Sequence, residues 1–423
     1  KVLAPLGQGG EAATWLCRQL SNGRLVAAKV LRRPVPRLMI SYLHHEVQIQ
    51  AMFGEGHFNI VNVMQVALTP SHVVIVMEYA AGGTLTSYIS SRIQKRTQDR
   101  KLAAAAASAA EASPSASAPP GNSTPPTPGV GSVKAKKAPR GGVLYVSEGE
   151  ANYFFRQAIA GMEYLHNNGV AHRDMKLDNV LLDDSIPPVL KISDFGFSKG
   201  DADVNTFTTI GTPCYMAPEV TSARGAAGYL PKAADVWSCG VLLFATLFGK
   251  FPFDSAPSRD GQQQPTTVEV MNEIKAQQNA LLARGGGDAE SCNFLGVDMS
   301  ELSPECRNML RGIFDLNPRR RLTIKQIKAH PWLQVPLSPA FTHALEDLRS
   351  RQKAANKRSK EFFRVHGDWW GRQQMKLQML LSAAVDLGAP DAPTIWVDLR
   401  RAAAPVDDDT VDDQLPRNLL SAV

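Results

Sequence analysis

The chain has 423 residues, 44% of them hydrophobic, with 46 Lys and Arg against 40 Asp and Glu and a formal net charge of +6. That length suits two or three folding units, the apolar content excludes a wholly disordered chain, and so mild a charge gives no ground for a nucleic-acid partner. The cysteines, Cys17, Cys214, Cys239, Cys292 and Cys306, form no CxxC pair, which argues against a zinc site or disulfide framework and for a reducing compartment.

The chain begins at Lys1 without a signal-peptide pattern and reads as a fragment. In chain order, 25–31 and His72–Glu78 predict strands and 41–53 a helix. Five alanines follow Leu102, and residues 114–139 hold 7 of the 28 prolines. Such a composition cannot bury a core and predicts a disordered insert over about 97–143. The KAKKAPR run at 134–140 near its end reads as a solvated stretch, with nuclear localisation as the alternative. Helices dominate beyond it. Glu148–Asn167 carries Phe154, Ile159, Met162 and Leu165 at helical spacing, and 267–282, 303–314 and 324–330 follow, with Ser303-Pro304 as a start signal. The longest apolar run, 240–248, is far short of the ~20 residues of a membrane span, so no transmembrane segment is expected. From Gln334 onward the chain is charged and irregular. A small strand-rich lobe before a larger helical one predicts an α+β, bilobal chain.

Five motifs carry the chemistry. His172-Arg-Asp-Met-Lys-Leu-Asp-Asn179 is followed by Asp194-Phe-Gly196 and Ala217-Pro-Glu219, and preceded by Gly7-x-Gly9 and Val26-Ala-Ala-Lys29. Their order and spacing match the protein-kinase signature set. Over 3–333 the chain therefore resembles eukaryotic Ser/Thr protein kinases. The resemblance implies a bilobal kinase fold at 1–333, with an N-lobe at 1–80 and a C-lobe at 81–333, and a partly helical, partly disordered tail at 334–423.

Phosphoryl transfer needs positioned groups and neutralised charge more than covalent chemistry. Lys29 is the cation for the α/β-phosphates of ATP, and Glu46, ahead of Glu55, is the carboxylate that holds it. Asp174 accepts or orients the substrate hydroxyl proton, Lys176 steadies the transferring group, and Asn179 and Asp194 are oxygen ligands suited to Mg²⁺. By the resemblance, Leu6, Gly7, Gly9, Thr14, Ala27, Lys29, Glu78, Ala80 and Leu181 make the nucleotide pocket, with Met77 guarding its back. The glycine loop departs from the family: Ala12 stands for the third glycine and Thr14 for valine, which predicts weaker but retained ATP binding. Lys176 and Gly211-Thr212-Pro213 imply Ser/Thr specificity, with Thr212 beside Asp174. Asp235 is expected to tie down the catalytic-loop backbone, and Glu219 to pair with Arg321.

The runs 176–183, 190–199 and 234–241 are similar to plant sucrose-non-fermenting-related kinases of the calmodulin-dependent-kinase group. The resemblance implies stress or nutrient signalling, protein substrates and a cytoplasmic enzyme, with the nucleus as a second location. It also implies an upstream kinase acting on Thr208, with Thr209 as the rival site, and Arg173 and Lys199 as phosphate partners. Relatives often carry Glu where this chain has Thr84, so Asp178 is left as the acidic contact for a basic substrate. In the tail, 349–376 holds nine Lys and Arg against Glu361 and Asp368, and Phe362, Trp369 and Met375 are spaced like calmodulin anchors. The competing reading packs those aromatics on the C-lobe. A pseudokinase scaffold is the alternative function; the intact Lys29, Asp174, Asn179 and Asp194 favour the enzyme.

Overall fold

The computed structural model describes residues 1–8, 12–111, 144–196, 198–200, 212–222, 229–253, 297–366 and 368–400, and a few positions between 254 and 296. The N-terminal lobe is built from β1 (Val2–Gln8), β2 (Ala12–Arg18), β3 (Leu25–Arg32), α1 (Arg37–Gly54), β4 (Val63–Leu68) and β5 (His72–Glu78). These strands form an antiparallel sheet in the order β1-β2-β3-β5-β4. Alternation along β3 gives the sheet two apolar faces. Val26, Ala28 and Val30 pack with Val74 on one. Leu31 packs with Val73 and Ile75 toward α1 on the other.

The chain continues through β6 (Gly83–Thr84), α2 (Leu85–Glu111), α3 (Glu148–Asn167), β7 (Val170–Ala171), β8 (Val180–Leu182), β9 (Leu190–Ile192) and β10 (Lys199–Gly200). Then come α4 (Pro218–Ser222), α5 (Pro231–Phe248), β11 (Asn293–Phe294), β12 (Val297–Asp298), α6 (Pro304–Ile313), α7 (Ile324–Ala329) and α8 (Pro331–Gln334). Helix starts follow local chemistry. Ser147 caps α3 by accepting from the Glu150 amide, with Glu148 and Glu150 in the first turn. Ser303 caps α6 through the Cys306 amide, and Thr323 and Gln326 close a capping box on α7. The apolar run 240–248 lies in α5, whose residues from Ala234 to Phe248 are all buried. It is the central core helix, and Trp237, Phe244, Phe154 and Trp332 pack in the same cluster. Among the described residues no helix is long and apolar enough to cross a membrane.

Two expectations are corrected. Residues 97–111, read as the start of the disordered insert, continue α2. Their Ala, Arg, Lys and Gln are strong helix formers, so a biased composition there does not mean an unstructured chain. Residues 112–143 and most of the helix expected at 267–282 lie outside the described residues.

The second concerns the tail: its described part, to residue 400, contains the helices expected of it, but it packs on both lobes and is not a separate segment after 333; residues 401–423 lie outside the described residues. α9 (Pro339–His366) starts on the C-lobe, where Phe341 stacks on Tyr153 at 4.6 Å between ring centroids. It then reaches the loop after α1: the Gln352 Nε2 donates to the Gly56 carbonyl at 2.6 Å, and its Oε1 accepts from the Phe58 amide at 2.9 Å. α10 (Trp369–Ser382) lies against α1, so Leu377, Leu380 and Leu381 share a core with Leu43, Val47 and Ala51. β13 (Ile395–Asp398) then pairs antiparallel with β4 and becomes the sixth strand of the sheet. The N-lobe is thus completed by residues far beyond its expected boundary at 80. Trp370 packs on this N-lobe cluster, and Phe362 meets Trp369 edge-on at 5.3 Å. The aromatics therefore do not collect on the C-lobe.

Candidate active site

The cleft between the lobes collects the residues that the motifs single out. Lys29 lies on β3, opposite Thr14 on β2 and Ile75 on β5. Its Nζ donates to both oxygens of Glu46 on α1, at 2.7 and 2.9 Å. Burial, the largest effect, pulls the Lys29 pKa down. The charge and hydrogen bonds of Glu46, together with the Asp194 charge, outweigh it and leave the group above the ordinary lysine value. A fixed, permanently charged ammonium results. Glu55, the weaker candidate, is not its partner.

The catalytic-loop segment is fixed from below by Asp235 on α5. Its Oδ1 accepts from the Arg173 amide at 2.7 Å, and its Oδ2 from the His172 amide at 2.9 Å. Arg173 has a φ of 68° and Asp194 one of 63°. Neither is glycine, and such left-handed backbone persists only where surrounding contacts impose it. Asp174 is buried and heavily engaged. Its Oδ2 accepts from Lys176 Nζ at 2.7 Å and from Asn179 Nδ2 at 3.1 Å. Its Oδ1 accepts from the Thr212 amide at 3.1 Å and the Thr212 hydroxyl at 3.2 Å. Lys176 also reaches the Thr212 Oγ1 at 3.3 Å. Asn179 donates a second bond, at 2.9 Å, to the Asp174 carbonyl. With the amide nitrogen so occupied, its carbonyl oxygen is the group left to offer a cation.

The nucleotide side is built on the sheet. Ala27 pairs with Leu16 and Met77, so it shares a face with Thr14 and Lys29. Gly7 pairs with Thr14, and Leu6 is exposed beside it. Leu181 lies on β8, and Glu78 and Ala80 follow on β5 and the segment after it. Gly9 lies outside the described residues, as do Thr208 and Thr209.

The remaining candidates have the following partners. The Arg173 guanidinium, read as a phosphate partner, donates to the Tyr229 hydroxyl at 3.0 and 2.8 Å. Lys199 is in β10, whose backbone pairs with β7. Asp178 accepts from the Thr86 hydroxyl at 2.8 Å, so its carboxylate has a partner within the chain. Glu219 and Arg321 form a two-pronged ion pair at 2.7 and 2.9 Å, with Arg321 also over the Trp237 ring. Sequence reasoning missed Lys191. From β9 it pairs at 2.8 Å with Glu78 at the end of β5, while a second Glu78 oxygen accepts from the Asn62 amide. The signal was present: a lysine inside an otherwise buried strand needs a carboxylate.

Two lobes, a sheet-borne lysine held by a helix-borne glutamate, and an aspartate ringed by Lys176, Asn179 and Thr212 define a phosphotransferase of the protein kinase class. The sequence matches the protein kinase domain over residues 1–112 and 135–333. Serine/threonine-protein kinase SAPK2 of Oryza sativa subsp. indica is 33% identical over 335 residues, which is 78% of this chain and 75% of that protein. Serine/threonine-protein kinase SRK2G of Arabidopsis thaliana is 33% identical over 368 residues, 85% of this chain and 79% of that protein. The chain belongs to the protein kinase family and is a Ser/Thr protein kinase.

Proposed function

We propose that the chain is catalytically competent and transfers the γ-phosphate of ATP, with Mg²⁺, to Ser or Thr of protein substrates in a stress- or nutrient-signalling role. The observation that carries this is the closed Lys29–Glu46 pair at 2.7 Å, present together with the intact Asp174 cluster. Lys29 holds the α/β-phosphates. Asp174 takes or orients the proton of the substrate hydroxyl, held in place by Thr212 and Asn179. Lys176, 2.7 Å from Asp174, spreads the charge that develops on the transferring group.

The donor set fits the cofactor. Asn179 and Asp194 offer hard oxygens. That suits Mg²⁺, which takes one or two protein oxygens and completes its shell with phosphate and water. Bound there, it supplies charge neutralisation on the phosphates.

Phosphorylation of Thr208 by an upstream kinase is the proposed activating event. Its phosphate would compete with the Tyr229 hydroxyl for Arg173. Docking of a calmodulin-like regulator on the basic tail would require a rearrangement, because Phe362 and Trp369 lie on two helices and pack on each other. The proposed location is the cytoplasm, with entry to the nucleus through the basic run at 134–140. Nothing in the site favours the pseudokinase scaffold. Incubation with Mg-ATP and an arrayed peptide library tests the proposal: Ser/Thr peptides are phosphorylated, and a protein that binds ATP but labels none refutes it.

A further inference from the structure

A second cavity, of about 290 Å³, opens on the side of the molecule where the tail crosses from one lobe to the other. Its walls come from the loop after α1, from α3, α7 and α8, and from α9. The volume is at the lower end of those that hold small molecules. Ile159, Leu345 and Leu348 supply an apolar floor, and Arg156, Lys328 and Arg349 supply three cations. Among the described residues no Asp or Glu lines it. Lys328 pairs with Glu163 outside the lining, at 2.5 Å. Arg156 spends its Nε and Nη2 on neutral acceptors, the Asn152 amide oxygen at 2.6 Å and the Val335 carbonyl at 2.6 Å.

Like charges facing a shared cavity repel, and a site that keeps them without a carboxylate is prepared for an anion from outside. The titration of the walls agrees with the geometry. Burial and then the Arg349 charge pull Arg156 below the ordinary arginine value. His57, also in the lining, is pushed down to about 4 by burial, Lys191 and Lys328. In both groups burial is the larger cause, and neighbouring cations add to it in the same direction.

We propose that this cavity binds a small organic phosphate: a phosphate monoester on a compact apolar body, gripped by Arg156 and Arg349 with Lys328 behind them. A phosphate monoester carries about −1.5 to −2 charge at neutral pH, which matches the two cations left once Glu163 has paired with Lys328 better than a single carboxylate does. The Arg349 fork fits two of its oxygens at once, and Arg156 has its Nη1 left for a third. The ligand would bridge α9 to α3 and α7, so its binding also holds the tail against the C-lobe. The site is separate from the ATP cleft and shares no residue with it.

The test is calorimetric titration of the full chain with 1-naphthyl phosphate, with the nucleotide site already saturated by Mg-AMP-PNP. One equivalent binds, the neutral 1-naphthol does not, and 1-naphthoate binds more weakly. Arg349 is exposed, so Arg349→Ala keeps the fold and Mg-ATP activity while weakening the probe by about tenfold or more, the loss expected for one charge-assisted hydrogen bond. Arg349→Lys recovers part of that loss. No binding of the phosphate probe at millimolar concentration overturns the proposal. So does unchanged affinity in both Arg349→Ala and Arg156→Ala. Affinity for 1-naphthoate equal to that for the phosphate overturns the assignment of the ligand class.

Discussion

At the scale of single residues, Asp174 concentrates the chemistry. It accepts from Lys176, Asn179 and Thr212 together, so removing it disconnects three groups. Asp174→Ala is expected to lower turnover by about 10²–10⁴-fold, the range of a lost general base, with little change in ATP affinity, because the Lys29–Glu46 pair is untouched. Steady-state phosphotransfer checks this, and more than a tenth of normal turnover in the variant would contradict the role. His57 makes a different statement, about pH. Its folded pKa of about 4 lies below the ordinary histidine value of 6.5, so between those values the unfolded chain binds the proton and the folded one does not. The stabilisation is present above pH 6.5 and is lost as pH falls toward 4. The loss between pH 7 and pH 5 is on the order of 2 kcal/mol. His57→Gln should flatten that part of the profile, read as urea midpoints at the two pH values; parallel profiles would show that His57 does not set it.

At the scale of elements, the contact between α10 and α1 connects the tail to catalysis. α1 carries Glu46, and its Leu43, Val47 and Ala51 share a core with Leu377, Leu380 and Leu381. A buried leucine cut to alanine costs about 2–5 kcal/mol, and a charge there costs more. Leu377→Asp should therefore release α10, loosen the Lys29–Glu46 pair and reduce kcat/KM for ATP by about tenfold or more, whereas Leu377→Met should stay near normal. Hydrogen exchange over α1 reports the release directly. If activity falls while α1 stays fully protected, the coupling is absent. These elements were legible in the sequence to very different degrees. Glu148–Asn167 was readable end to end because its cap, acidic first turn and apolar spacing agree. The catalytic cluster was readable because its residues lie within short motifs. α9 was not, because only Leu345 and Leu348 are buried along its 28 residues, which leaves little periodicity to detect. The role of α10 was hidden for another reason: its partner face is on α1, and no local pattern names a partner so distant. That Lys191 needs a carboxylate was legible from its strand, but that Glu78 supplies it, and that Thr86 holds Asp178, was not, because these pairs are made only by the tertiary fold.

At the scale of the molecule, the family match is interrupted between residues 112 and 135, and the flanks are held independently. Leu85 and Ile89 in α2 are buried, as are Leu144 and Val146 just before α3. Replacing 113–134 by a short Gly/Ser linker should leave turnover within about threefold, since lengthening or shortening a surface connection changes closure entropy only by tenths to about one kcal/mol. A loss of soluble, active protein would show that the segment contributes to the fold. The strand β13 bears on how the chain is made. Gln65 and Asp398, neighbours across the β4–β13 pair, are 333 positions apart. At about 5–20 residues per second, a ribosome exposes the outer edge of β4 for about 15–65 seconds before the strand that covers it emerges. During that interval the row of unpaired amides and carbonyls on β4 is a template for pairing with another nascent chain. Chains that stop short of residue 395 retain that open edge permanently, and they are the molecules on which a holding chaperone would be needed longest.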